Sequence, residues 1–414
     1  MKKIIFLLLL FTSCCFSQNE KEITPPFNIK TVSFIQNGQN VPAIFQINDT
    51  FQLEFDDLFA NEANYYYAIT HCDYDWKPSE LSKNEYLQGF DDQRIQDYAN
   101  SFNTLQLYAH YKLQIPNQKT QCKVSGNYIL KILNEDREII FSKKFILYEN
   151  LATVPLQIRR SRNMEGIDAK QNLDFTIKSS VINFQNPVKN VKILIVKNGQ
   201  FQTAISNIIP QYTMGNDLIY RYDKETQFWG GNEFLNFDTK NIRVPYQNVS
   251  FVDSKNGIYD SHLYTNAARL NSIYTFYPDI DGNFFVRKFG SENSAIEADY
   301  SWVFFSLSAP TFFEKEDIYV NGMFNNFGLT PENKMDYNAE KKVYEKAIMI
   351  KQGFTNFQYV VADSKGKIDD ENAIDGNHFQ TENNYTILVY YRENGQRYDQ
   401  VIGKGDASSI NIIN

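Results

Sequence analysis

Alternating apolar and polar residues, interrupted by Asn-Gly and Asp-Gly pairs, are the feature that most restricts the fold of this chain. In "NVKILIVKNGQFQTAI" the alternation runs on both sides of Asn198-Gly199. The same pattern surrounds Asn394-Gly395 in "YTILVYYRENGQRYDQVI" and Asp281-Gly282 in "YTFYPDIDGNFFVRKF". Because a type I′ turn needs two residues that tolerate positive φ, each of the three pairs predicts a β-hairpin.

The composition supports many short strands. Aromatic residues make up 15% of the 414 residues, with 27 Tyr and 33 Phe, and such rings pack well on a half-buried pleated surface. Hydrophobic residues account for 43% and charged residues for 22%, which is typical of a globular protein. The sequence therefore predicts an all-β protein with three consecutive β-sandwich domains, at residues 28–150, 151–308 and 309–403.

Residues 1–17, "MKKIIFLLLLFTSCCFS", have the organisation of a secretory signal peptide. A basic start precedes an apolar run from Ile4 to Phe11, which is too short to span a membrane. We expect cleavage after Ser17. The alternative is that "FTSC" is a lipobox and that Cys14 carries a lipid, which would anchor the protein to a membrane. Both interpretations describe an exported protein.

Charge and cysteine content restrict the partners and the covalent structure. The formal net charge is −8, and it is −10 without Lys2 and Lys3. Nucleic-acid binding needs a basic surface, so an acidic exported protein is not expected to bind nucleic acid. Outside the signal region the chain has two cysteines, Cys72 and Cys122, which either form a disulfide or remain buried thiols.

The hexapeptide "HCDYDW", from His71 to Trp76, concentrates residue types that bind metals or act as nucleophiles. Same-face neighbours on a strand are about 6.6 Å apart, so three of them do not meet at one metal ion. A cysteine nucleophile needs a base within reach or a helix start, and the adjacent His71 is expected to point to the face of the strand opposite Cys72. We expect a strand end with Cys72 buried and Trp76 covering a corner of the core. No catalytic, cofactor-binding or metal-binding residue is predicted.

The segment "DIYVNGMFNNFGLTPENKMDYNAEKKVYEKAIMIKQGFTNFQYVV" resembles the glycogen-binding and early-set group of Ig-like modules. Gly322 to Asn326, Met335 and Lys351-Gln352-Gly353 carry the resemblance. It implies that the predicted sandwiches are Ig-like or early-set-like. Sugar-binding members of that group stack a sugar on a tryptophan that follows the asparagines. Phe327 occupies that position here and is the carbohydrate-binding candidate.

A longer pattern lies in the first predicted domain. It consists of His71-Cys72 with Asp75-Trp76, then Glu85-Tyr86-Leu87, then Ser101 to Thr104, then Ser125 to Tyr128. In this order, and with "GGNEFLNFD" further on, the chain resembles the plug protein family of the type IX secretion system over nearly all of its mature length.

The resemblance implies a function without catalysis. Members of that family lie in the periplasm, at the inner face of the outer membrane, and close the mouth of a large translocon barrel. The expected partner is therefore that barrel, with no cofactor and no small-molecule substrate. The alternative, which depends on Phe327, is a carbohydrate-binding accessory protein of outer-membrane polysaccharide uptake.

Overall fold

The computed structural model of this protein consists of 47% strand and 5% helix, which confirms the all-β fold class. It describes residues 19–255, 257–309, 313 and 316–412. The predicted signal peptide, its cleavage after Ser17 and the alternative lipidation of Cys14 lie outside the described residues. Within them, the helices are all too short or too polar to cross a membrane.

The N-terminal unit, residues 29–148, packs two five-stranded sheets around an aromatic core. Its strands are β1 (Ile29–Gln36), β2 (Gln39–Asn40), β3 (Ile44–Gln46), β4 (Phe51–Asp57), β5 (Tyr66–Cys72), β6 (Leu87–Gly89), β7 (Gln93–Arg94), β8 (Asp97–Asn100), β9 (Ala109–Ile115), β10 (Thr120–Cys122), β11 (Gly126–Leu133) and β12 (Ile139–Tyr148). A short helix, α1 (Lys83–Tyr86), precedes β6. The strand orders are β2-β1-β4-β9-β8 and β3-β12-β11-β5-β7, and β10 pairs with β6. Alternation explains the burial, because Phe51, Leu53 and Phe55 of β4 all point into the core.

The next strands begin a second hydrophobic cluster. They are β13 (Ala152–Thr153), β14 (Leu156–Arg160), β15 (Lys170–Ile177), β16 (Val191–Lys197), β17 (Gln200–Ser206), β18 (Tyr212–Met214), β19 (Asp217–Tyr220) and β20 (Gln227–Trp229), with helix α2 (Pro187–Asn190) before β16. One sheet has the order β14-β15-β19-β18, and β20 also pairs with β15.

A third cluster follows, and we call residues 235–362 the inserted unit. Its strands are β21 (Leu235–Asp238), β22 (Val249–Lys255), β23 (Ile258–Leu263), β24 (Asn266–Ala267), β25 (Phe284–Val286), β26 (Tyr300–Ser308), β27 (Asp317–Asn321), β28 (Asp336–Asn338), β29 (Val343–Lys351) and β30 (Gly353–Ala362). Helix α3 (Ser294–Glu297) and a 3₁₀ turn, Met323–Asn325, lie among them. The larger sheet has the order β22-β23-β26-β29-β28, and the smaller one β21-β30-β25.

The last two strands, β31 (Asn384–Tyr391) and β32 (Gln400–Ser408), return to the second cluster. They complete the sheet β13-β32-β31-β16-β17, and a 3₁₀ turn, Ser409–Asn411, follows them. We call residues 152–229 together with 384–411 the middle unit. The inserted unit therefore lies within the sequence of the middle unit.

This topology differs from the predicted linear order of domains. The predicted boundary at 150/151 falls between β12 and β13, but the one at 308/309 falls inside the inserted unit. The predicted segment 309–403 also contains β31 and the first four residues of β32, which pair with the middle unit. The difference arises because β-pairing joins strands that are far apart in sequence, and the local pattern does not identify partners.

Two of the three predicted hairpins are present. Asn198-Gly199 links β16 to β17 with φ angles of 48° and 71°, as a type I′ turn requires. Asn394-Gly395 lies in the longer loop between the paired strands β31 and β32. Asp281-Gly282 also has positive φ angles, but residues 271–280 form no strand and β25 pairs with β30 instead. The turn chemistry was predicted correctly there, and the hairpin was wrong.

The discontinuous middle unit leads to a hydrogen-exchange prediction. Ile387→Ala removes a fully buried side chain of β31, and we expect it to destabilise the protein by about 2–5 kcal/mol. Mass spectrometry after exchange should show lost protection in residues 152–206. The matched control, Val303→Ala in the inserted unit, should expose residues 235–362 first. Lost protection confined to residues 309–362 in Ile387→Ala would contradict the topology.

Candidate functional site at the joints between units

The hexapeptide His71 to Trp76 ends a strand and begins a contact between units. Strand β5 stops at Cys72, and a turn follows in which the Trp76 N–H donates to the Asp73 carbonyl at 2.9 Å. Trp76 has φ 64° and packs on a small cluster that includes Ile146 of the N-terminal unit and Leu388 of the middle unit. Its indole therefore covers a corner shared by two units.

Asp73 and Asp399 form the polar part of this first joint. Arg392 contacts Asp73 at 2.7 Å and Asp399 at 3.0 Å, and Lys192 reaches Asp399 at 3.1 Å. The backbone adds two reciprocal hydrogen bonds: the Tyr74 N–H donates to Asp399 and the Asp399 N–H donates to Asp73. Two carboxylates thus share two cations across the boundary, and each is also held by a backbone N–H group.

Further hydrogen bonds fix the orientation of the first joint. The Tyr390 hydroxyl donates to Asn127 at 2.8 Å, and Asn127 donates to the Asp73 carbonyl at 3.0 Å. The Tyr74 hydroxyl donates to the Ile193 carbonyl at 2.7 Å. Buried polar groups that are all paired define one relative position, because any shift would leave some of them without partners.

The reactive-looking residues of the hexapeptide serve this structure. Both ring nitrogens of His71 have hydrogen-bond partners, Ser79 at 2.7 Å and the Ser125 carbonyl at 3.3 Å. Burial lowers the pKa of His71 to about 4, so the ring is neutral at physiological pH. Burial raises the pKa of the Cys72 thiol to about 12, which leaves it protonated and a poor nucleophile.

Cys72 and Cys122 are free, buried thiols in the structure, and the alternative of a disulfide does not describe it. Cys122 belongs to the core of the N-terminal unit. Cys72 follows His71, whose ring contacts Tyr128 of that core, so the Cys72 side chain points to the opposite face of the sheet. The sheet itself separates the two sulfur atoms.

The second joint connects the N-terminal unit to the inserted unit through Asp56. Its carboxylate is fully buried, and Lys351, whose side chain is 3% exposed, approaches one oxygen at 2.5 Å. The Tyr300 hydroxyl donates to the same oxygen at 2.5 Å, and His110 contacts the other oxygen at 2.7 Å. Burial alone would raise the pKa of Asp56, but Lys351 and His110 hold it below its ordinary value.

A loop of the N-terminal unit extends this second joint. Asp299 accepts hydrogen bonds from the N–H groups of Leu105 at 2.6 Å and Gln106 at 3.1 Å. The Phe102 N–H donates to the Ile296 carbonyl, and the Tyr108 hydroxyl donates to Ala298. The loop that carries Ser101 to Thr104, singled out in the sequence, is therefore bound to the inserted unit.

The third joint, where segments 230–234 and 363–383 connect the middle and inserted units, concentrates negative charge. Glu233, 1% exposed, accepts hydrogen bonds from the Tyr274 hydroxyl at 2.5 Å and the Glu382 N–H at 3.2 Å. Asp279 and Asp281 lie close by and are held by the Phe234 N–H and by Asn384. Burial raises the pKa of Glu233 to about 7 and that of Asp281 to about 7, with neighbouring carboxylates adding to the effect.

The carbohydrate candidate from the sequence is not at the surface. Phe327 is 4% exposed, and its ring lies against Gly282, where an added Cβ would approach it to 3.0 Å. A ring must present a face to solvent to stack on a sugar. The prediction for Phe327 is therefore wrong, because that position lies beneath the 278–283 loop.

Sequence reasoning missed most of the residues that make the joints: Asp56, Tyr300, Lys351, Arg392 and Asp399. The sequence contains only a weak indication of these joint residues. Asp56 follows the alternating run "FQLEF", and a charged residue beside a buried strand calls for a partner. The partner is 295 residues away, and no local pattern points to it.

Comparison with known proteins identifies relatives of this chain. Residues 29–149 match the family described as the type 9 secretion system plug protein 1st domain. A hypothetical protein from Parabacteroides merdae, known from a crystal structure, is 31% identical and superposes with a TM-score of 0.88. The similarity covers 94% of this chain and 98% of that one. No curated protein matches this chain.

The second joint generates a stability prediction. Lys351→Met leaves Asp56 buried without its main counter-charge, and we expect a loss of about 3–5 kcal/mol in the free energy of unfolding. Lys341, which pairs with Glu345 at the surface, provides the matched control. Lys341→Met should cost no more than about 0.5 kcal/mol. Urea unfolding followed by fluorescence compares them, and equal losses would contradict a role for Lys351 in the joint.

The third joint generates a pH prediction. The pKa of Glu233 is raised from 4.5 to about 7 in the folded protein. The folded state is therefore most stable at low pH, where Glu233 is protonated, and this contribution to the free energy of unfolding is lost as pH rises through about 7. Glutamine at this position keeps the acceptor oxygen without the charge.

We therefore expect Glu233→Gln to raise the thermal unfolding temperature above that of the wild type, and by more at pH 8 than at pH 5. The exposed Glu340→Gln serves as a control and should show no such pH dependence. A gain for Glu233→Gln that is equal at both pH values would contradict the titration of Glu233.

Proposed function

Since this chain belongs to the type 9 secretion system plug family, we propose that it closes the periplasmic mouth of the outer-membrane translocon barrel of that system. It acts there as a folded obstruction and not as an enzyme. Its place is the periplasm, at the inner face of the outer membrane, and its partner is the large barrel protein.

The observation that carries this proposal is the way the plug family's first domain is built into the rest of the chain. Asp73 and Asn127 of that domain contact the middle unit, and Asp56 and Phe102 contact the inserted unit. Three units joined by buried, paired polar groups resist being pulled apart. An obstruction in a wide pore needs that resistance, because a chain of loosely linked domains could be threaded one domain at a time.

The chemistry of the joints supports a role without catalysis. The hexapeptide that resembles an active site has a neutral His71 with both nitrogens engaged, and its Cys72 is a protonated, buried thiol. The carbohydrate-binding alternative loses the residue on which it depended, because Phe327 is buried.

A membrane-leakage experiment tests the proposal. Deletion of the gene should make the outer membrane permeable to a large hydrophilic dye, and the wild-type gene should restore the seal. Cys72→Ala should restore it equally well, since no thiol chemistry is involved. The double variant Asp73→Ala, Arg392→Ala should restore it poorly at equal protein level, because the first joint is opened.

The partner is tested separately. Purification of the tagged protein in mild detergent should recover the large barrel protein in comparable amount, identified by mass spectrometry. A sealed outer membrane in the deletion strain, or purification without the barrel, would contradict the proposed plug.

A further inference from the structure

Three side chains with metal-binding atoms converge on the outer face of the large sheet of the inserted unit. Asp253 of β22 lies directly opposite Asp260 of β23, and Phe251 lies opposite His262. Residues two apart on a strand share a face, so Asp260 and His262 point the same way. One ligand atom from each of Asp253, Asp260 and His262 lies within 4.8 Å of the other two.

The imidazole of His262 is held in a fixed orientation by two phenylalanine rings. Phe251 stacks on it with 4.1 Å between centroids and an interplanar angle of 9°, and Phe304 stacks on its other face at 4.3 Å and 14°. Two flanking rings leave the imidazole little freedom to rotate. A ligand whose orientation is fixed in advance loses less entropy when it binds.

The free nitrogen of this imidazole faces a carboxylate at a distance that suits a shared ion. Nε2 of His262 is buried, has no hydrogen-bond partner among the described residues, and lies 3.4 Å from Oδ1 of Asp253. Two neighbouring ligands of a tetrahedral Zn²⁺ ion, with bonds of about 2.0–2.2 Å, lie roughly 3.3–3.5 Å apart. The observed separation matches the edge of such a tetrahedron.

The charges of the cluster also favour a cation. Two aspartates directly opposite each other on adjacent strands bring two carboxylates together, and carboxylate oxygens are ligands of divalent cations. Both carboxylates take part in further interactions within the protein, so the argument depends on the convergence of three ligand atoms and on the nitrogen of His262. Two carboxylates match the charge of a divalent ion.

We propose that Asp253, Asp260 and His262 form a binding site for a divalent transition-metal ion of the Zn²⁺ class. An imidazole ligand favours such ions over Mg²⁺ and Ca²⁺, which prefer oxygen ligands alone. Three protein ligands leave a fourth position for water. The site is separate from the three joints, and its function does not depend on the proposed plug role.

Zinc titration of the mature protein, with any affinity tag removed and after dialysis against a chelator, tests the site. Calorimetry should show one equivalent of Zn²⁺ bound, and the thermal unfolding temperature should rise with zinc concentration. Mg²⁺ and Ca²⁺ at the same concentrations should give neither effect. Co²⁺ should bind with the visible absorption of a four-coordinate ion.

The variants decide whether these residues are the ligands. His262→Ala and, separately, Asp253→Asn should each weaken Zn²⁺ binding by about 10- to 100-fold or more. The control His378→Ala removes a partly exposed histidine elsewhere in the chain and should bind Zn²⁺ like the wild type. Asp253→Asn keeps the side-chain shape, so it tests the site even where His262→Ala fails to fold. Unchanged affinity in Asp253→Asn, or no binding to the wild type, would overturn the proposal.

Discussion

A carboxylate that has no access to water stays charged only where cations and hydrogen-bond donors replace the water it has lost. Asp56 is such a carboxylate, and its replacements come from both sides of a unit boundary: His110 from its own unit, and Lys351 and Tyr300 from the inserted unit. Separating the units would expose this carboxylate to water. Even a relative shift of about 1 Å would leave the buried carboxylate and lysine without their partners. The relative position of the units is therefore tightly defined. Apolar contacts alone, being non-directional, would define it less well.

The three joints differ in how charge is balanced. The first shares two carboxylates between two cations, and the second surrounds one carboxylate with a lysine, a tyrosine and a histidine. The third buries Glu233 and Asp281 among other carboxylates, with hydroxyl and amide donors as their partners. Burial, and after it the neighbouring carboxylates, raise the pKa of each to about 7. The first two joints thus keep their buried carboxylates charged by pairing them with cations. In the third joint the surroundings disfavour the charged form of the carboxylates.

The sequence predicted what depends on local chemistry. The type I′ turn at Asn198-Gly199 and the strand end at Cys72 follow from residues a few positions apart, and the all-β class follows from aromatic alternation. It did not predict the return of β31 and β32 to the middle unit, or the partners of Asp56 and Asp399. The pairing of β16 with β31, the contact of Asp56 with Lys351 and that of Asp399 with Asp73 join residues roughly 200 to 330 positions apart, where spacing carries no signal. The hexapeptide lies between these cases: its strand was predictable, whereas its contact with the middle unit was not.

The place of the inserted unit in the chain has a consequence for the order of assembly. Strand β13 and one edge of β16 precede it and pair with β32 and β31, which follow it, whereas the other edge of β16 pairs with β17. When the chain emerges from a ribosome or an export channel in sequence order, the middle unit appears as two segments that are separated by more than 150 residues. During that interval the edge of β16 that pairs with β31 has no strand partner, so the closing step of folding belongs to the last strands to arrive. A product cut short before them would contain every strand of the N-terminal and inserted units but would lack two strands of this sheet, and with them Arg392 and Asp399 of the first joint.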